Sequence, residues 1–105
     1  MSKLKQTKSK KVFARSKNVL VGGVNSPVRA FDAIGGNPII VKEAHGGVIK
    51  DEDDNVFIDL CQSWGASILG HANSKIVQAI QSQARIGTSY GTTTAKELEI
   101  AKTIQ

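Results

Sequence analysis

Two stretches rich in Gly, Asn, Ser and Pro interrupt this chain, and they restrict every regular element to a short segment. The first stretch spans residues 21–38 and the second spans residues 61–73. Glycine and proline are strong breakers of regular structure, and loops of this length are uncommon in a compact domain and often functional. We therefore expect short helices and strands around two irregular loops, with the functional residues on the loops.

The segment between the two loops is rich in β-branched residues and contains two turn signals. It predicts three short strands in a small antiparallel meander, at residues 39–41, 48–50 and 56–58. The acidic run 51–54 lies in the second turn and lacks the Gly and Glu spacing of an EF-hand calcium loop. We interpret it as a solvated hairpin turn, and we predict no metal site.

The N-terminal segment has the apolar spacing of an amphipathic helix over residues 9–20. Ser9 is placed to cap the start of this helix. We expect Gly22 and Gly23 to end it, because glycine is a poor helix former.

Two further helices are predicted near the C-terminus. Residues 74–86 form the first, and Gly87 suits the left-handed position that follows a helix. The second begins at Thr94, which forms a capping box with Glu97. Its apolar face reaches Gln105 without a stop signal, which predicts that the chain is part of a longer protein.

The net charge of +5 is concentrated at the N-terminus. Residues 1–31 contain eight basic residues and no acid, whereas residues 32–105 contain six basic and nine acidic residues. We expect residues 1–10 to be a solvated basic arm and residues 11–105 to be the folded segment. A basic arm can also bind nucleic acid or anionic lipid. Nucleic acid is not expected as a partner, because none of the first twelve residues is an aromatic on which a base could stack.

The composition favours a cytoplasmic protein. No apolar run of about 18 residues is present, so no membrane span is predicted. The N-terminus also has no apolar core of the kind found in signal peptides, so no signal peptide is predicted. The acid-poor start resembles a transit peptide in composition but contains only one Arg before residue 20. Cys61 is the single cysteine, which excludes an internal disulfide and fits a reducing compartment. Its apolar neighbours predict a buried structural thiol.

No self-contained set of catalytic residues is visible. His45 and His71 lie far apart, and there is no second cysteine to complete a metal site. No P-loop, GxSxG motif or GxGxxG motif opening a helix is present. We interpret His71 as a structural residue of the second loop, and we predict no catalytic residue in this chain.

Arg29 is the strongest candidate for ligand binding. It lies in the first loop between apolar neighbours, where a guanidinium that loses water must find an anion. Its planar fork matches a carboxylate. Ser26 adds a hydrogen-bonding hydroxyl nearby, and Trp64 in the second loop suits the apolar wall of a pocket. The residues alone leave two roles open for Arg29, a structural salt bridge or a ligand clamp.

Residues 22–31, with the sequence GGVNSPVRAF, resemble the N-terminal signature of glutamate-1-semialdehyde aminomutases. The resemblance covers residues 10–105. The meander and the Leu-Gly-His segment at residues 69–71 are similar to class-III aminotransferases in general. Residues 22–31 and the Ser-Trp-Gly at residues 63–65 are similar to the aminomutases in particular. Other matching segments are residues 35–38, 53–55, 58–59, 68–72 and 87–91, with Thr94.

The resemblance implies an α/β protein of the pyridoxal-phosphate-dependent transferase fold type I. This chain would be an incomplete α+β N-terminal segment of it, ending before the large cofactor-binding domain is complete. The family enzyme is a homodimeric, cytoplasmic isomerase, or a plastid one in plants and algae. It moves an amino group within the amino-aldehyde (S)-4-amino-5-oxopentanoate to give 5-aminolevulinate for tetrapyrrole and porphyrin biosynthesis.

The resemblance also implies roles for particular residues. Arg29 matches the arginine that pairs with the substrate carboxylate, and Ser26 and Trp64 match residues lining the same pocket. Residues 87–91 would lie near the active-site entrance. The cofactor is pyridoxal 5′-phosphate, and its lysine and other binding residues would follow Gln105. The chain is therefore expected to contribute substrate recognition and to be inactive alone.

Several positions depart from the family pattern. Val21 and Ala66 stand where proline is usual, and Asp54 stands where glycine is usual. Residues 73–74 and 92–93 replace His-Pro and Ala-Pro pairs. These changes reduce the rigidity of loops but remove no pocket residue. A part of another class-III aminotransferase and a small non-enzymatic protein that binds nucleic acid are the alternatives.

Overall fold

The computed structural model describes residues 4–105, which divide into two compact units, one ending at Asn73 and the other spanning Ser74–Gln105. The first unit contains one helix and a three-stranded antiparallel sheet in the order β1-β2-β3. These elements are α1 (Thr7–Ser16), β1 (Val41–His45), β2 (Val48–Asp51) and β3 (Val56–Ile58).

The second unit contains two helices, α2 (Ser74–Ala84) and α3 (Ala95–Ile104). The capping box predicted at the start of α3 is confirmed, because the Thr94 N–H donates to Glu97 Oε1 over 3.1 Å. Gly87 has a positive φ of 116°, but α2 ends at Ala84, two residues before its predicted end at residue 86. The predicted order of helix, long loop, meander and two helices is therefore confirmed.

Both ends of helix α1 differ from the predicted bounds of residues 9–20. It begins at Thr7, so part of the predicted basic arm is helical, and Ser9 is a buried residue within the helix and not its cap. The capping group is Asp53, whose carboxylate accepts the N–H groups of Lys8 and Ser9 at 2.8 Å each. The helix ends at Ser16, four residues before its predicted end. Sequence spacing missed the start of α1 because its cap is remote in the chain.

The first strand is also displaced from its prediction. A two-residue turn at Gly46 and Gly47 pairs His45 with Val48, so β1 lies at Val41–His45 and not at residues 39–41. Gly46 has a φ of 55°, which the turn requires and glycine adopts without strain. The turn sets the register, and it overrides the local apolar run.

The acidic turn between β2 and β3 is not fully solvated, and that prediction was wrong. Asp51 and Asp53 are only 3% and 4% exposed. Asp51 Oδ1 accepts the N–H groups of Asp53 and Asn55, and its Oδ2 accepts Nδ2 of Asn55 at 2.7 Å. Asp54 is exposed, as expected. Burial is tolerated because both buried carboxylates receive hydrogen bonds.

The core of the first unit centres on Phe13 and Ala30. Many large apolar side chains elsewhere are exposed, including those on the apolar faces of α2 and α3 and on β3. They include Val56, Ile58, Ile76, Ile80, Leu98, Ile100 and Ile104. The core is therefore small although large apolar side chains are plentiful.

Candidate functional site

The first glycine-rich loop is fixed against helix α1. Gly22 and Gly23 have φ values of 66° and 76°, and they belong to a 3-10 turn at Val21–Gly23. A Cβ added to Gly23 would lie 2.8 Å from Cε2 of Phe13. The loop can approach the buried ring this closely only because residue 23 has no side chain.

The two first-loop candidates, Ser26 and Arg29, are brought together on one turn. Ser26 precedes a 3-10 turn at Pro27–Ala30, and its carbonyl accepts the Arg29 N–H at 3.0 Å. Pro27 suits the first position of such a turn, because its φ is already near the helical value. Ser26 is half-buried and Arg29 is exposed.

Ala30 is the anchor of this turn and explains the exposure of Arg29. Ala30 is 4% exposed, and successive residues of a 3-10 turn are about 120° apart around its axis. Burial of Ala30 therefore directs the preceding side chain away from the interior. Phe31 closes the turn in a left-handed conformation with φ of 63°.

The guanidinium of Arg29 makes no ion pair with any carboxylate within residues 4–105. The structural salt bridge left open by the sequence is therefore not found in the described part of the chain. An exposed arginine on an anchored turn can bind a carboxylate without first breaking another contact.

Trp64 lies on a backbone turn with unusual geometry. Gln62, Ser63 and Trp64 have φ values of 46°, 52° and 61°, and Gly65 follows at 90°. Left-handed backbone costs a residue with a side chain roughly 1–2 kcal/mol. Trp64 is 81% exposed on this turn. Strain of this kind concentrates at functional sites, where surrounding contacts must hold it.

A carboxylate that was not predicted from the sequence holds the start of this turn. Asp59 Oδ1 accepts the N–H groups of Cys61 at 2.9 Å and Gln62 at 3.0 Å, and its Oδ2 lies 2.6 Å from Nε2 of His71. The hydrogen bond from His71 lowers the pKa of Asp59, with the Gln62 N–H acting in the same direction. The signal available in the sequence was an Asp just before an irregular loop, a common position for capping backbone N–H groups.

The structure does not join the three candidates into one contact network. Within residues 4–105, no hydrogen bond or ion pair connects Trp64 to Ser26 or Arg29. Cys61 is exposed, so the expectation of a buried thiol was wrong. The Asp59 hydrogen bond turns the chain at this point, and the apolar neighbours of Cys61 do not enclose it.

The turn after α2 is held by several hydrogen bonds within the second unit. Tyr90 Oη lies 2.9 Å from the carbonyl of Ile86 and 3.0 Å from that of Gly87, and Gln83 Nε2 donates to the Gly87 carbonyl at 2.7 Å. These contacts give residues 87–91 a defined shape. Their predicted place at an active-site entrance stays a prediction.

The lysines of the described chain do not suit a covalent bond to an aldehyde cofactor. Such a lysine must lose its proton, which burial or a neighbouring cation promotes. No lysine within residues 4–105 is buried. Lys50 is the most enclosed, and hydrogen bonds to Glu43 and Asp54 raise its pKa, which is opposite to that requirement. That the lysine attaching the cofactor lies outside this chain stays a prediction.

Within residues 4–105, no group of three or more His, Cys, Asp or Glu side chains is arranged to hold a metal ion. None of the described helices combines the length and apolar character needed to cross a membrane.

Solved structures define the class of fold. A transaminase with bound pyridoxal phosphate superposes with a TM-score of 0.84 and 31% identity, over 95% of this chain and 23% of that one. A glutamate-1-semialdehyde aminomutase from Pseudomonas aeruginosa PAO1 superposes with a TM-score of 0.77 and 26% identity, over 89% and 20% of the two chains. The chain therefore has part of the fold of type I pyridoxal-phosphate transaminases.

The chain belongs to the class-III aminotransferase family, whose sequence profile matches residues 31–104. It is also 48% identical over 101 residues to the glutamate-1-semialdehyde 2,1-aminomutase of Cytophaga hutchinsonii, covering 96% of this chain. The chain spans 24% of the length of that relative. The profile match begins at residue 31, so it leaves out most of residues 22–31, including Arg29. The similarity of this segment to the aminomutases therefore rests on the longer alignment with the Cytophaga relative.

Proposed function

We propose that this chain is the substrate-recognition part of a glutamate-1-semialdehyde 2,1-aminomutase. The complete protein would convert (S)-4-amino-5-oxopentanoate to 5-aminolevulinate, a step of tetrapyrrole synthesis. The proposal is carried by the guanidinium of Arg29, which is exposed and unpaired within residues 4–105 on a turn anchored by Ala30. The name of the Cytophaga relative, at 48% identity, supports the choice of reaction.

Arg29 would bind the substrate carboxylate. A guanidinium offers two parallel N–H donors to the two oxygens of a carboxylate, which fixes direction as well as position. Binding one end of a short amino-aldehyde in this way places its amine and aldehyde at a set distance from the turn. Orientation of this kind is a major part of catalytic rate enhancement.

Ser26 and Trp64 would complete the recognition of the substrate. The hydroxyl of Ser26 lies on the same turn as Arg29 and can add a hydrogen bond to the bound acid. The exposed indole of Trp64 would cover the methylene carbons of the substrate once the remaining polypeptide closes the pocket. Neither residue transfers a proton in this proposal.

Cofactor chemistry is assigned to the rest of the complete protein. Pyridoxal 5′-phosphate supplies the electron sink for amino-group transfer in this class of enzyme. No lysine within residues 4–105 suits its attachment. We accordingly propose that the 105-residue chain is inactive alone, and that the active form is a cytoplasmic homodimer of the longer polypeptide.

A second candidate is another class-III aminotransferase, because similar solved structures include proteins named as transaminases. The two reactions differ in their need for a second substrate. An aminomutase returns the amino group to the same carbon skeleton, whereas a transaminase passes it to a separate 2-oxo acid.

The test is to incubate the complete purified protein with pyridoxal 5′-phosphate and glutamate-1-semialdehyde, without any 2-oxo acid or added amine. We expect catalytic formation of 5-aminolevulinate, and no product from the 105-residue chain alone. Amino transfer only when a 2-oxo acid is added would replace the aminomutase proposal with the transaminase one.

A further inference from the structure

The turn that carries Trp64 has a backbone conformation that is unfavourable for the residues that form it. Three successive residues with side chains, Gln62, Ser63 and Trp64, are held in left-handed backbone. Hydrogen bonds within the turn, from the Trp64 N–H to Cys61 O and from the Ser67 N–H to Gln62 O, close it but do not remove that strain. Contacts outside the turn must therefore maintain it.

We propose that Asp59 and His71 are positioning residues that hold the Trp64 turn in its strained shape and thereby set the place of the indole in the substrate pocket. The assignment of Trp64 to that pocket comes from the proposed function, on which this inference rests. The positioning itself rests on the hydrogen bonds around Asp59.

Asp59 is the group that starts the turn. Both its oxygens are used, with Oδ1 accepting the N–H groups of Cys61 and Gln62 and Oδ2 meeting Nε2 of His71 at 2.6 Å. Its backbone carbonyl accepts Nε2 of Gln62 at 2.9 Å. The carboxylate thus fixes the two residues that lead into Ser63 and Trp64.

His71 connects this carboxylate to the sheet. The backbone N–H of His71 donates to Gly46 O and the Gly46 N–H donates to His71 O, each at 2.8 Å. The Asp59 N–H donates to Gly47 O at 2.8 Å. Asp59 and His71 are therefore both hydrogen-bonded to the β1–β2 hairpin turn, which supports the Trp64 turn.

Partial burial strengthens the hydrogen bond between Asp59 and His71. The side chains of His71 and Asp59 are only 21% and 12% exposed, so water competes weakly for their hydrogen bond. Loss of either side chain leaves the other partly buried without its partner, which favours rearrangement of the turn. A displaced indole would change substrate affinity more than the rate of the chemical step.

The inference can be tested on the complete, cofactor-loaded protein labelled with 5-fluorotryptophan. The ¹⁹F signal of Trp64 is assigned by its loss in Trp64→Phe. His71→Ala and Asp59→Ala should shift or split that signal, whereas His71→Gln should keep it, because the Gln amide can donate where Nε2 of His71 lies. His45→Ala, which removes the exposed histidine of β1, is the matched control.

Kinetics supply the second readout. We expect His71→Ala to raise KM for glutamate-1-semialdehyde by about 10-fold with kcat within about 2-fold, and His71→Gln to restore KM. An unchanged ¹⁹F signal in His71→Ala overturns the inference. A shifted signal with normal KM in Trp64→Phe supports the positioning and instead removes Trp64 from the proposed pocket. Because His71→Gln and His71→Ala are compared directly, failure of Asp59→Ala to fold leaves the test decisive.

Discussion

Gly23 lies against the ring of Phe13 so closely that a single added methyl group would overlap it. A Cβ at residue 23 would fall 2.8 Å from Cε2 of Phe13 and 3.0 Å from Cγ of Lys17. Lys17 Nζ in turn lies 4.5 Å from the centre of the same ring. The loop that carries Arg29 is thus attached to helix α1 through one glycine and one aromatic ring.

This contact distinguishes two neighbouring glycines. Gly22→Ala should cost only the left-handed backbone penalty of roughly 1–2 kcal/mol, because nothing lies within 4 Å of its added Cβ. Gly23→Ala adds a steric overlap that costs about 1–3 kcal/mol more. Hydrogen exchange of the α1 amides in the complete protein measures the difference. Equal exchange in the two variants would show that the Phe13 contact is unimportant.

The carboxylate of Asp53 should make the attachment of α1 depend on pH. Burial alone raises the pKa of Asp53, but hydrogen bonds from the N–H groups of Lys8 and Ser9 outweigh it and lower the pKa to about 2. Because the folded pKa lies below the ordinary value of 3.8, the stabilisation is present above about pH 4 and is lost as pH falls towards 2.

We therefore expect Asp53→Ala to lower the unfolding temperature of the complete protein at pH 5. The difference in unfolding temperature between this variant and wild type should be smaller at pH 3. Glu52→Gln is the matched control, since the Glu52 carboxylate makes no hydrogen bond with a described residue. Its difference from wild type should stay constant. If the difference in unfolding temperature between Asp53→Ala and wild type does not change with pH, the Asp53 carboxylate does not cap helix α1.

Asp54 combines an unfavourable backbone with favourable charges. Its φ is 67°, and its carboxylate lies 3.4 Å from Lys42 and Lys50 and 3.6 Å from Lys8. The hydrogen bonds from Lys42 and Lys50 lower its pKa. Asp54→Gly should remove the backbone strain, and it should also remove the three ion pairs with lysine.

Salt separates these two effects, because 1 M salt screens exposed charges beyond about 3 Å whereas backbone strain is independent of salt. Asp54→Gly should therefore gain stability relative to wild type as NaCl rises from about 0.05 to about 1 M, measured by unfolding temperature. A difference that salt does not change would mean that the three lysine contacts contribute nothing.

The exposed apolar faces should make the 105-residue chain self-associate when it is expressed alone. Leu98, Ile100 and Ile104 of α3 are all more than half exposed, as are Ile80 of α2 and Ile58 of β3. Surfaces of this kind promote aggregation unless they are covered. We expect strong binding of a hydrophobic dye and concentration-dependent oligomers. A sharp cooperative melt of a monomer would contradict this expectation.

Local signals in the sequence predicted the existence of every α-helix and strand in the described chain. The capping box at Thr94 and Glu97 and the glycine at position 87 act within a few residues, so their structures followed from spacing. The start of α1 did not, because its cap is a carboxylate 44 residues away from Ser9. The position of β1 was missed because a two-residue turn decided the register.

The candidate site was predictable to a similar extent. Ser26 and Arg29 lie on one turn because they are close in the chain, and the residues between them suit a tight turn. The left-handed backbone at Trp64 and its support by Asp59 and His71 were not predictable. They depend on a histidine 12 residues away from Asp59 and on the hairpin turn at Gly46, and neither gives a local signal.

The central claim is that Arg29 binds the substrate carboxylate, and steady-state kinetics of the complete protein test it most directly. Arg29→Ala should weaken transition-state and substrate binding by roughly 2–5 kcal/mol, seen as a loss of about 30-fold or more in kcat/KM for glutamate-1-semialdehyde. Arg15→Ala removes the same charge from the exposed surface of α1 and should leave kcat/KM within about 2-fold. If Arg29→Ala behaves like Arg15→Ala, the claim is contradicted.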